Sequence, residues 1–312
     1  MRLQRGRILV IFLLAAAALA AAFRFGFSRP MDQASFDALY ASPQPVPDGP
    51  QRVFHLGHSL VGRDMPAMLA QLAGDGHQYE SQLGWGTPLK AHWEPDEQIN
   101  GFDTENDHPR YRDAKQAVAS GDYDAIILTE MVEVRDAIKY HDAPTYLHLW
   151  AKAGWDADPS VRVYLYESWH PLDDPDGWLE RLDQDLTRYW EDGVLRPAVS
   201  RMDDPRPITV IPAGQVMAKF VREVEALGGV DGIGGRSDLF SDQIHFNDLG
   251  AYLVALTHYA VLYQTSPVGL PYALKRADGS DATAPSAEAA ELMQNVVWDI
   301  VQNYPKAGRP QT

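Results

Sequence analysis

Arg52-Val53-Phe54-His55-Leu56-Gly57-His58-Ser59-Leu60 is the stretch on which the reading of the fold turns. Arg52–Leu56 has the length and the β-branched and aromatic content of a buried strand. A glycine then ends it just before an apolar helical pattern at 64–74. Four more segments have this form: Tyr79–Leu83, Asp124–Leu128, Val161–Tyr166 and Ile208–Ile211, each followed by Gly, Pro or polar residues. Helical patterns at 110–120, 144–153, 176–200 and 214–227 lie between or after them, and two more, at 248–264 and 286–303, complete the chain. Strands alternating with helices predict an α/β protein, a three-layer αβα sandwich around one mostly parallel five-stranded sheet. The Gly-rich stretch 228–235 reads as a loop, and nothing in the sequence indicates a second domain.

The composition sets the outer limits. The chain has 312 residues, 45% of them hydrophobic and 22% charged, which is enough for a large core and excludes wholesale disorder. A net charge of −16 argues against a nucleic-acid partner. The absence of cysteine excludes disulfides, thiolate metal sites, a cysteine nucleophile and a lipid-modified N-terminal cysteine. His92, His108, His141 and His148 lack metal-ligand spacing and read as surface or packing residues, and no metal or organic cofactor is expected.

In a parallel α/β sheet the ligand site lies outside the carboxyl ends of the strands, so the segments after each strand are where chemistry is expected. Ser59 follows the first strand and precedes a helix, a position that exposes its hydroxyl near helix N–H groups; a plain helix cap is the competing reading. In Ser241-Asp242-Gln243-Ile244-His245-Phe246-Asn247-Asp248-Leu249-Gly250, a loop turn can bring the Asp242 carboxylate to the His245 ring. That is the task of a carboxylate that orients a general base, although a capping aspartate beside a surface histidine would have the same spacing.

Together the two segments resemble the SGNH (GDSL-like) hydrolase superfamily, over about residues 52–265. Gly57-His58-Ser59-Leu60 is similar to its first block, with His58 where the common pattern has Asp. Asp242-Gln243-Ile244-His245, followed by Asn247 and Gly250, is similar to its last. The resemblance implies the flavodoxin-like SGNH hydrolase fold and a Ser59–His245–Asp242 triad. It also implies an oxyanion hole formed by Ser59 and a glycine of Gly84-Trp85-Gly86-Thr87, with Gly86 preferred to Gly84. The third block departs from the family: Leu128-Thr129-Glu130-Met131 stands where Gly-x-Asn-Asp supplies an amide donor. Glu130 can take that place only when protonated, which requires a raised pKa.

By position after the second and fourth strands, Trp85, Glu167, Trp169 and His170 are expected to line the cleft, the two tryptophans as walls against a sugar ring. The expected reaction is removal of a short acyl group, most simply acetyl, from an extracytoplasmic carbohydrate ester. The alternatives are a polysaccharide O-acyltransferase of the same fold and a non-catalytic glycan-binding relative. Export is expected from the N-terminus. Arg2, Arg5 and Arg7 precede an apolar run from Ile8 to Ala22 that ends in small residues, so residues 1–27 read as a signal peptide or an N-terminal membrane anchor. The protein is then periplasmic or secreted, touching a membrane only through that segment. Residues 28–51 read as a linker, 52–305 as a single domain and 306–312 as a flexible tail.

Overall fold

The computed structural model describes residues 30–309. The expected signal or anchor segment lies outside them, and among the described residues no helix is long and apolar enough to cross a membrane. In chain order the principal elements are α1 (Gln33–Ala38), β1 (Arg52–His58), α2 (Asp64–Ala73), β2 (Gln78–Gly84), α3 (Leu89–Trp93), α4 (Phe102–Asn106), α5 (Ala114–Ser120) and β3 (Ala125–Leu128). They continue with α6 (Val134–His141), α7 (Ala143–Ala157), β4 (Arg162–Glu167), α8 (Trp178–Asp185), a π-helical stretch Leu186–Leu195, α9 (Arg196–Val199), β5 (Thr209–Pro212), α10 (Ala213–Leu227), α11 (Asp248–Tyr263) and α12 (Ala287–Asn303).

The five strands form one sheet in the order β2-β1-β3-β4-β5, and every pairing is parallel, where a mostly parallel sheet was expected. Side-chain alternation splits the core in two. Val53, Ile127 and Tyr164 pack under α2, α10, α11 and α12. Phe54, Leu56, Ile126 and Leu165 pack under α5, α7 and α9 on the other face. This is the expected three-layer sandwich. Helix α11 is apolar nearly all round because it is wedged between α2, α10 and α12, and so has almost no solvent face.

Two boundary readings change. The segment read as a linker contains α1, capped by Asp32, and it buries Phe36 completely; the Tyr40 hydroxyl donates to the Ile208 carbonyl at 2.9 Å. Its aromatic residues are few but anchor it to the domain. The tail also begins packed: Ala307 is buried, and the Gln44 N–H donates to the Gly308 carbonyl at 2.8 Å. The two ends of the described chain meet each other, Lys306 pairing with Asp37 at 3.3 Å.

The carboxyl ends of β1 and β3 come unusually close. A Cβ at Gly57 would sit 2.5 Å from the Thr129 Cβ, so only glycine fits there. The chain then turns through His58-Ser59-Leu60-Val61, closed by Val61 N–H to the His58 carbonyl at 2.9 Å.

Candidate active site

Three side chains from opposite ends of the domain meet at that turn. The Ser59 hydroxyl lies 3.0 Å from His245 Nε2, across 186 positions of sequence, and His245 Nδ1 lies 2.7 Å from an Asp242 carboxylate oxygen. Donation of the Nδ1 proton to Asp242 leaves Nε2 free to accept the serine proton. The other oxygen of Asp242 accepts the backbone N–H groups of Ile244 and His245 at 2.8 and 2.7 Å. Burial pushes the Asp242 carboxyl up, but the N–H and imidazole bonds of His245 and the N–H of Ile244 outweigh it and hold the pKa at about 2. The carboxylate is thus charged at any pH where the imidazole must be oriented.

The turn that carries Ser59 is fixed by two buried histidines. His58 donates Nε2–H to the Glu130 carbonyl at 2.8 Å and accepts the Leu60 N–H on Nδ1. His92 donates Nε2–H to the Gly57 carbonyl at 2.8 Å while its Nδ1 accepts from Gln82. Burial lowers both to a pKa of about 4, so both are neutral at physiological pH. His92 reads from sequence as packing, and no spacing marks it, because its partner is a carbonyl 35 positions away. His58 thereby holds the Ser59 turn against the segment that follows β3.

Gly86 adopts φ +55, a left-handed conformation that favours glycine, and it lines the cleft with Ser59. Among the described residues the backbone N–H groups of Ser59 and Gly86 donate to no protein acceptor. At Gly84 an added Cβ would collide with Thr87 and Ile99, so only glycine fits at the end of β2.

The His245 loop is pinned from below. The Ser241 N–H donates to the His245 carbonyl at 2.8 Å, the Leu172 N–H to the Gln243 carbonyl at 2.8 Å and the Trp169 indole N–H to the Ile244 carbonyl at 2.8 Å. Asn247 caps α11 by accepting the N–H groups of Leu249 and Gly250, and a Cβ at Gly250 would collide with the Leu239 carbonyl at 2.4 Å. This explains the spacing from His245 to Asn247 to Gly250: the helix start has to sit flush on the loop.

A cleft of about 660 Å³ opens at Ser59, walled by Trp85, Gly86, Val132, Pro171, Ile244 and His245. Trp85 is 53% exposed. One face of its ring lies on Gly101, and its indole N–H donates to Glu105 at 2.7 Å. Glu105, also a wall of the cleft, carries no sequence signal, being twenty positions from the ring it holds.

Four expected site residues are placed elsewhere. Trp169 is 1% exposed and packs edge-on against Phe240 in the core, so it supports the His245 loop and is no cleft wall. Glu167 is buried at the start of α10, accepting the Gly214 N–H at 2.8 Å and bonds from Gln215; burial raises its pKa to about 8 against those donors. His170 is buried near Arg181, whose guanidinium binds Glu133, Asp174 and Asp185, and burial lowers it to about 4. Glu130 is buried with one oxygen accepting the N–H groups of Leu89 and Met131 and the other without a partner. Burial raises its pKa to about 7, yet it is no wall of the cleft and is not placed as the third oxyanion donor.

No known family model matches the sequence, and no curated protein matches it. Among solved structures the chain is similar to a DUF4886 family protein from Bacteroides uniformis, with 15% identity, a TM-score of 0.52, and coverage of 82% of this chain and 95% of that one. It is also similar to a carbohydrate esterase family 2 enzyme with a carbohydrate binding domain from Corynascus thermopiles (Myceliophthora fergusii), at 10% identity and a TM-score of 0.39, over 70% of this chain and 67% of that one. At 15% identity the first likeness shows the fold alone and nothing about the reaction.

Proposed function

We propose that the protein is a serine esterase that removes a short acyl group, most simply acetyl, from a carbohydrate ester outside the cytoplasm. The observation that carries this reading is the Asp242–His245–Ser59 relay, with bonds of 2.7 and 3.0 Å, at the floor of an open cleft. His245 Nε2 takes the proton of Ser59 as Oγ attacks the ester carbonyl. The oxyanion forms beside the free N–H groups of Ser59 and Gly86. His245 then returns the proton to the alcohol oxygen as the ester C–O bond breaks, leaving an acyl-enzyme. Water, deprotonated by His245, attacks the acyl carbon and releases the carboxylic acid and Ser59. Asp242 stays charged throughout and stabilises the imidazolium. An oxyanion hole of two donors, lacking a side-chain amide, supports slower turnover, since one such donor is worth about 2.7–4 kcal/mol.

The test is release of p-nitrophenol from p-nitrophenyl acetate by the full chain beside its Ser59→Ala variant. Turnover should fall by about 10⁴-fold or more in the variant with an unchanged circular dichroism spectrum. Equal rates in the two proteins would overturn the serine mechanism.

A further inference from the structure

The cleft at Ser59 does not end at its own walls. Across Gly62 and Glu105, which it shares, lies a second, larger groove of about 1250 Å³ lined by α2, the segment 103–110 and the strap 276–278. That volume alone exceeds the range of roughly 300–1,000 Å³ that a single small ligand needs. We propose that this groove holds the sugar units flanking the acylated one, so that the enzyme acts on acyl groups within a neutral polysaccharide chain; the inference rests on the esterase reading above.

The lining decides the class of ligand. It carries five carboxylates, from Asp64, Asp103, Glu105, Asp107 and Asp278, against three guanidiniums, from Arg63, Arg110 and Arg276. A polyanion is repelled by the first set, and a fatty chain finds charged walls instead of an apolar one. Several of these groups already have protein partners: Arg276 is bidentate to Asp248, Asp64 accepts the Ala277 N–H, and Glu105 holds Trp85. Others have capacity to spare. Among the described residues Arg110 lies over the Tyr79 ring without an ion pair, the Arg63 guanidinium bonds only the Thr104 carbonyl, and the carboxylates of Asp103 and Asp107 accept no hydrogen bond.

Spare donors and spare acceptors therefore line the same groove. A hydroxyl group donates one hydrogen bond and accepts others, so a polyol satisfies both kinds at once, which neither a cation nor an anion does. Trp85 walls the Ser59 cleft and is held by Glu105, which the two cavities share, so its exposed ring stands beside the path of a sugar passing from one to the other.

Binding energy from sugars remote from the ester would be expressed at the reacting bond. The experiment measures kcat/KM of the full chain on chemically acetylated gluco- and xylo-oligosaccharides, from monosaccharide to hexasaccharide, with p-nitrophenyl acetate as a length-independent reference. The expected result is a rise on the order of tenfold or more with chain length in at least one series. The rise should be largely lost in the Asp103→Ala, Asp107→Ala, Arg110→Ala triple variant, whose changes are all at exposed positions, with the reference rate unchanged. Asp107→Arg alone gives a second reading of the same effect. A flat response in both series, or a rise the variants leave intact, overturns the groove as a sugar site while leaving the esterase standing. Absence of p-nitrophenyl acetate turnover in the wild type would instead count against the esterase reading itself.

Discussion

The carboxyl edge of the sheet has two halves with similar residues and opposite fates. At the β1 end, Asp242 and His245 reach Ser59 while remaining 55% and 42% exposed in their side chains, and the carboxylate is held near a pKa of 2. At the β4 end, Glu167 closes the strand and His170 lies three residues beyond it, yet both are buried and both are pushed toward their neutral forms. The difference comes from what packs over each end. Helix α10 begins immediately over Glu167, and its first N–H groups close on the carboxyl, whereas the loop ahead of α11 stands up beside Ser59 and leaves a cleft. The rule that ligands sit beyond the strand ends locates a region, and the packing of the following helix decides which side chains inside it meet solvent.

The sharpest way to break this contrast is one carboxylate on each side. Asp242→Asn should lower kcat on a simple ester by about 10⁴-fold, through loss of the charge and the tautomer it imposes, with a small change in urea midpoint because the side chain is exposed. Glu167→Ala should do the reverse, costing about 2–4 kcal/mol by orphaning the N–H groups it accepts and leaving a cavity, with kcat per folded molecule nearly unchanged. Loss of activity without loss of stability in Glu167→Ala would return it to the site.

The two halves also predict a peaked pH–stability curve. His58, His92 and His258 have pKa values lowered by burial from 6.5 to about 4. Their contribution is complete above 6.5 and is lost as pH falls toward 4, because the unfolded chain takes up protons that the folded one refuses. Glu130 and Glu167 are raised from 4.5 to about 7 and about 8. Their contribution is complete below 4.5 and is lost as pH rises through those values. Stability should therefore peak at roughly pH 6.5 and decline on both sides. Urea denaturation across pH 4.5–8.5 checks this, and Glu167→Gln should flatten the alkaline limb and steepen the acid one, because the Glu167 contribution is lost across the whole span from 4.5 to about 8.

The smallest expected effect separates the two tryptophans. Trp85→Ala should leave stability within about 0.5 kcal/mol while lowering kcat/KM on acetylated sugars by roughly two- to tenfold relative to p-nitrophenyl acetate. An equal loss on both substrates would mean that Trp85 shapes the Gly86 turn and does not bind sugar.

Much of this was legible in the chain. Strand-length apolar runs alternating with helical periodicity gave the layered sheet, and the three-residue step from Asp242 to His245 is local geometry that a loop can satisfy by itself. Helix α6 was missed because its short sequence is dominated by polar residues, and α1 because its segment is broken by Pro and Ser on either side. Glu105, His92 and Ile244 act through partners or walls that no periodicity links to them.

What the sequence determined by itself is therefore the order of elements, their alternation and the identity of three candidate side chains, because these depend on neighbours a few positions away. The meeting of Ser59 with His245, the burial that lifts Glu130 and Glu167, and the turning of Trp169 into the core were decided only by tertiary structure. Solvent exclusion and hydrogen-bond partners at those positions come from segments tens to hundreds of residues distant, and no local pattern records them.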